Sequence, residues 1–125
     1  MAKYVITGAT GFLGANLVRL LLGEGHQVDC IIRKSNALVE GLPVGLHTIP
    51  LVDGISEVTA LAKVMEGADG VFHLAGLFDP SPEGMRRMTQ VHIFGTRALL
   101  KASERAGVKR FVHCSSSVTV GFAQK

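Results

Sequence analysis

Apolar and polar positions alternate along the chain in short blocks, and the blocks change period. Lys3-Tyr4-Val5-Ile6 is a β-branched run that predicts a buried strand. Ala15-Asn16-Leu17-Val18-Arg19-Leu20-Leu21-Leu22 carries leucines at helical spacing, and Gly23 and Gly25 stop it. His26 to Arg33 reads as a second strand, with Asp29 interrupting its apolar character, which we expect near the strand's start and facing solvent. Lys34 to Gly45 is polar and punctuated by Gly and Pro, with Ala37-Leu38-Val39 as one short helical turn. Leu46 to Leu51 predicts a third strand ending near Pro50. A helix follows from Ser56 to Met65, with Ser56 as its cap and Glu57 in the first turn, and Gly67 ends it.

Val71-Phe72-His73-Leu74-Ala75 is apolar almost throughout, as a strand covered on both faces should be. A loop through Asp79-Pro80 leads to Ser81-Pro82-Glu83, where a serine cap, a proline at the first helical position and an acid in the first turn start a helix. Met85, Met88, Val91, Gly95, Leu99 and Ala102 trace one face of that helix as far as Ala106, and Gly107 stops it. Val108 to Cys114 is a fifth strand, followed by Ser115-Ser116-Ser117. Strands alternating with helices predict an α/β, doubly wound parallel sheet joined by right-handed crossovers, in the order 3-2-1-4-5. A ligand then belongs at the carboxyl ends of strands 1 and 4, where the winding reverses.

The first connection carries the chemistry. Thr7 to Gly14 reads TGATGFLG, with glycines spaced Gly8-x-x-Gly11-x-x-Gly14, between a strand and a helix. A helix start presents backbone N–H groups and partial positive charge, and glycine lets a phosphate approach the bare backbone there. The same glycines could serve as a plain helix-capping turn, but the flanking strand and helix favour a dinucleotide pyrophosphate seat.

Composition narrows the classes. At 125 residues and 47% hydrophobic, the chain suits one domain with a full core, and it has no internal repeat. Its net charge of +3 is spread from Lys3 to Lys125, with no Trp, one Tyr and no basic stripe, which argues against a nucleic-acid partner. Cys30 and Cys114 sit in strand-like runs without a C-x-x-C motif; we expect buried free thiols in a reducing compartment, and spacing alone leaves a disulfide open. No leader pattern and no apolar stretch near eighteen residues is present, so we expect a cytoplasmic protein without a membrane partner. His73 and His113 fall at matching heights on adjacent strands. Without a carboxylate or thiolate cluster beside them, each is expected to be packed and singly hydrogen-bonded, with no metal bound.

Six ordered motifs resemble the extended short-chain dehydrogenase/reductase family, which includes sugar-nucleotide epimerases, dehydratases and dihydroflavonol-type reductases. They are TGATGFLG, Arg33 closing the second strand, Asp53 after the third, VFHLAG, VHIFGT and FVHCSSS. The resemblance spans the chain and implies a Rossmann-like, dinucleotide-binding domain over residues 1–125. It implies that Gly8, Gly11 and Gly14 form the pyrophosphate turn, with Phe12 and Leu13 offering backbone N–H groups. Asp53 would accept from the adenine amino group, although the following Gly54 equally suits a simple turn. Leu74, Ala75 and Gly76 would pass the nicotinamide-side ribose, Ser115 would line the cofactor, and Ser117, or else Ser116, would hydrogen-bond the substrate's reacting oxygen. NAD binders place an acid at the second strand's end, where Ile32, Arg33 and Lys34 stand; the cations suit a 2′-phosphate, so NADP is expected ahead of NAD.

The chain also departs from the family pattern. The chemistry implied by the resemblance uses a tyrosine with a lysine four positions on, whereas the one tyrosine, Tyr4, lies in the first strand and the only lysine beyond Ser117 is Lys125. His92 stands where asparagine is usual ahead of Gly95-Thr96, and Val118-Thr119-Val120-Gly121 lacks a tyrosine before its glycine. The expectation is the truncated cofactor-binding portion of such an enzyme, unable to transfer hydride alone and lacking the substrate-binding part. The alternatives are a self-standing, non-catalytic NADP(H)-binding or sensing module, and a fold remnant with no ligand. The end at Gly121 to Lys125, without a closing helix, would leave the fifth strand as an exposed edge and one sheet face uncovered, which predicts homo-oligomers.

Overall fold

The computed structural model describes residues 1–34, 37–121 and 123. Five parallel strands, β1 (Lys3–Thr7), β2 (Gln27–Ile32), β3 (Gly45–Thr48), β4 (Gly70–His73) and β5 (Arg110–His113), form one sheet in the order β3-β2-β1-β4-β5. This is the doubly wound order that the alternation predicts. β1 is central, and its Val5, Ile6 and Thr7 have no exposed surface. β3 stops at Thr48, short of the expected Leu51, and β5 begins at Arg110 rather than Val108.

Successive residues serve opposite faces. Val5, Ile31 and Val71 pack under α2 (Ile55–Met65) and the helix spanning Thr96–Arg105, with Leu61, Met65 and Leu99 fully buried between them. Ile6, Cys30, Ile32 and Phe72 face α1 (Phe12–Gly23) and the turn carrying the buried Val39. α1 packs on β1 and β2. Among the described residues no helix covers the other half of that face, and Val112 on β5 is 42% exposed.

The helix expected to run from Pro82 to Ala106 is three segments: α3 (Pro82–Thr89), a π-helical turn (Gln90–Gly95) and α4 (Thr96–Arg105). Its start is as read, with Ser81 Oγ accepting the Gly84 N–H at 3.0 Å and Pro82 at the first position. The π turn occurs where the helix meets the chain after β3. A Cβ on Gly95 would stand 2.9 Å from Leu51 Cβ. The extra residue per turn rotates the face, so Gly95, Leu99 and Ala102 are buried while Met85 is 54% exposed.

Four further expectations are corrected. α2 is capped by Gly54, not Ser56, whose hydroxyl donates to Glu57 Oε2 at 2.7 Å from within the first turn. Asp29 is mid-strand and buried, because Gly45 lies beside it in register and leaves room for its carboxylate. That carboxylate accepts from His47 Nε2 at 2.8 Å and pairs with Lys3 at 3.7 Å, while Lys3 Nζ also donates to the Val64 and Glu66 carbonyls ending α2. Cys30 and Cys114 are both free, but only Cys30 is buried, since Cys114 follows the outermost strand. Ala37 to Glu40 is a turn without helix. The expectation for the closing segment falls, at Phe122, Gln124 and Lys125, outside the described residues.

Candidate functional site

The carboxyl ends of β1 and β4 meet at the glycine turn, and its three glycines are needed for different reasons. Gly8 has φ +78°, and a Cβ there would lie 2.7 Å from Ala75 N and Leu74 C. The turn is thus pressed against the chain leaving β4. Gly14 sits in the first turn of α1, where a Cβ would come within 2.6 Å of Gly8 C and 2.9 Å of Ala9 Cα. Gly11 differs: its φ of −91° suits any residue, and an added Cβ would meet only Gly8 O at an ordinary 3.4 Å. Nothing inside the protein requires Gly11 to lack a side chain.

Gly11 is also the N-cap of α1. It makes no side-chain cap bond, and no acidic residue stands in the first turn. Ala15 N–H donates to Gly11 O at 3.0 Å, so the N–H groups of Phe12, Leu13 and Gly14 precede the intrahelical ladder. Phe12 and Leu13 expose 86% and 56% of their surface around this helix start. The arrangement offers backbone donors and a helix dipole to an anion.

Behind the turn lies a buried polar chain that sequence reasoning missed. Thr7 Oγ1 accepts the N–H groups of Leu74 and Ala75, both at 3.1 Å, which occupies its two lone pairs. Its own proton therefore goes to His73 Nδ1, 2.7 Å away. That assigns the ring proton to Nε2, which donates to Thr96 Oγ1 at 2.8 Å. His73 is 1% exposed, and its pKa is pushed down to about 4, by burial first and then by His113 and His92. It is doubly, not singly, hydrogen-bonded. His113 lies opposite it in register, with ring centroids 5.3 Å apart.

The other sequence candidates distribute around this end. Leu74, Ala75 and Gly76 leave β4 beside Gly8, and a Cβ on Gly76 would be 2.9 Å from His92 Cε1. His92 Nε2 meets the Leu77 backbone, 2.9 Å from its carbonyl oxygen and 3.3 Å from its N, which ties the π turn to the same loop. Arg33 and Lys34 are exposed on the bend after β2. Asp53, in the loop before α2, has its carboxylate held by Lys101 Nζ at 2.8 and 3.0 Å, with Arg97 at 3.8 Å. It thereby fastens that loop to α4. Ser115, Ser116 and Ser117 follow β5 and are exposed. The Ser116 hydroxyl accepts from Val118 N at 3.3 Å as the cap of the 3₁₀ turn Ser117–Val120, and Ser117 is the turn's first residue.

Among the described residues no group of three or more His, Cys, Asp or Glu could hold a metal ion. None of the described helices is long and apolar enough to cross a membrane.

The model of the NAD dependent epimerase/dehydratase family matches residues 4–125. A putative dihydroflavonol 4-reductase from Synechocystis is 34% identical over 120 residues, covering 94% of this chain and 34% of that protein. A short-chain dehydrogenase/reductase superfamily protein from Agrobacterium tumefaciens, solved with bound NAD, is 32% identical with a TM-score of 0.77, over 91% of this chain and 32% of that one. A UDP-glucose-4-epimerase from Stenotrophomonas maltophila, solved with NAD and formylated UDP-arabinopyranose, is 25% identical with a TM-score of 0.84, over 100% of this chain and 40% of that one. The chain thus spans about a third of the curated relative's length.

Proposed function

The chain belongs to the NAD dependent epimerase/dehydratase family, and we propose that it supplies that family's dinucleotide seat, with the pyrophosphate at Gly11 and the start of α1. The observation that carries this is the room at Gly11. Gly8 and Gly14 are explained by the protein's own backbone, whereas Gly11 has no such close contact and leaves the backbone at the start of α1 open to a bound phosphate. Phe12 and Leu13 N–H groups would hold the phosphates, and Leu74, Ala75, Gly76 and Ser115 would line the nicotinamide end.

Arg33 and Lys34 would meet the adenine-side ribose, and their charge favours the 2′-phosphate of NADP over the hydroxyl of NAD. Asp53 already accepts two hydrogen bonds from Lys101, and an adenine amino group would take a further lone pair. The nicotinamide, when bound, supplies the hydride acceptor or donor. Ser117 would orient a substrate oxygen toward it. The tyrosine and lysine that would move the proton are not provided by these 125 residues, in which Tyr4 is the only tyrosine and lies in β1. On these residues alone the activity is cofactor binding without hydride transfer, which equally suits an NADP(H)-sensing module. Reductase and epimerase relatives match this same segment, and the match does not choose between their substrate classes. Two free cysteines suit a reducing, cytoplasmic setting. Exposed Val112 and the uncovered half-face favour self-association.

Calorimetry with NADP, NAD and ADP tests the reading. NADP should bind more tightly than NAD, and Arg33→Ala should reduce NADP affinity about tenfold while changing NAD little. Equal losses for both would remove the 2′-phosphate argument, and no binding by any of the three at millimolar concentration would remove the dinucleotide seat.

A further inference from the structure

We propose that His73 is a positioning residue for the dinucleotide cradle, acting through a Thr7–His73–Thr96 hydrogen-bond chain that locks the glycine turn, the end of β4 and the start of α4 into one arrangement. Its ligand rests on the dinucleotide reading above; its geometry does not. Thr7 immediately precedes Gly8, and the backbone at Gly8 lies so close to Leu74 and Ala75 that a Cβ would not fit. A shift of the β4 end therefore displaces the turn. Thr7 Oγ1 clamps the two segments by accepting from both Leu74 N and Ala75 N. His73 keeps that hydroxyl pointing the right way, because its Nδ1 takes the hydroxyl proton and leaves both lone pairs for the amides. On the ring's far side Nε2–H reaches Thr96, the first residue of α4 after the π turn.

The role depends on a neutral ring. Were Nδ1 protonated, Thr7 Oγ1 would face three donors with two lone pairs, and its own O–H would be left without an acceptor in a site with no exposed surface. The titratable groups that face His73 are His113 from β5 and His92 from the π turn. β1 and α4 present Thr7 and Thr96, neither of which titrates, and Phe111 adds only a ring 6.2 Å away. Asparagine could replace the Nδ1 acceptor but not reach Thr96, and phenylalanine could do neither, so the two substitutions separate clamping of the turn from mere filling of space.

The test compares wild type, His73→Asn and His73→Phe at a temperature where all are folded. Imidazole ¹⁵N spectra should show His73 as the Nε2–H tautomer. Leu74 N also donates to the Thr7 carbonyl at 3.2 Å, so Ala75 is the reporter of the hydroxyl: its amide exchange should stay within about threefold of wild type in His73→Asn and rise at least about tenfold in His73→Phe. NADP affinity should follow the same order. Should His73→Phe not fold, Thr7→Ser and Thr7→Val make the same comparison from the other partner. An Nδ1–H tautomer, or equal exchange rates in the variants that keep and lose the Thr7 bond, would overturn the proposal. The exchange measurement needs no nucleotide: if wild type bound none, the dinucleotide reading would fail while the lock would still be decided.

Discussion

Substituting the three glycines of the turn one at a time separates the needs of the fold from those of a ligand. Gly11→Ala places a methyl group where the backbone angles are ordinary and the nearest protein atom outside the adjoining residues is 3.4 Å away. Alanine lowers the entropy of the unfolded chain, worth about 0.4–1 kcal/mol in favour of folding, and is a poorer N-cap than glycine by a similar amount. The two effects nearly cancel, so the unfolding free energy should move by less than about 1 kcal/mol. Gly14→Ala drives a methyl group to 2.6 Å from Gly8 C, a backbone atom that cannot rotate away, and overpacking of this kind costs about 1–3 kcal/mol or more. Gly8→Ala adds the penalty of a left-handed φ, about 1–2 kcal/mol, to a 2.7 Å approach to Ala75 N. Denaturant unfolding should therefore rank Gly11→Ala near wild type and the other two well below it. Calorimetry with NADP should rank them differently: Gly11→Ala loses at least about tenfold in affinity, roughly 1.4 kcal/mol, because the methyl group holds the phosphate off the backbone. A Gly11→Ala protein that is stable and binds NADP as wild type does would refute the reasoning.

Two other outcomes follow from the same geometry. His73 stays neutral in the folded chain down to about pH 4, whereas the unfolded chain takes up the proton near 6.5. Below pH 6.5 the unfolded state then holds more protons, so stability is full above that pH and falls by about 3 kcal/mol as pH drops toward 4, at 1.36 kcal/mol per unit. Chemical denaturation across that range should show this loss in wild type and not in His73→Asn; identical pH dependence in the two would contradict the assignment. Light scattering on the 125-residue chain should show a dimer or larger species growing with concentration, and Val112→Lys should shift it toward monomer, while a monomer throughout would count against the uncovered half-face as an interface.

The parts of the fold that were legible are those set by local signals. β-branched runs and glycine stops give five strands, and their alternation with helices leaves few topologies, so the order 3-2-1-4-5 followed directly. What was missed depends on distant partners. Asp29 looked solvent-facing because a lone acid in a strand usually is; its burial rests on Gly45 making room and on His47 and Lys3 pairing with it. The break at Gln90–Gly95 reflects the approach of Gly95 to Leu51, which no helical periodicity contains. His73 was visible as a strand histidine, but its two threonine partners lie 66 and 23 residues away in the chain. The one available hint was that Thr7 and Thr96 each stand beside a glycine of a recognised motif. The hold of Asp53 on α4 was not legible because Lys101 lies 48 residues further on.

The most direct measurement is a titration of the ¹⁵N-labelled chain with NADP. If TGATGFLG is the phosphate seat, the largest amide shifts should fall on Gly8 to Gly14, on Leu74 to Gly76 and around Arg33, with Gly11→Ala abolishing those in the turn. Shifts confined to other elements, or no shifts at millimolar NADP, would contradict the account.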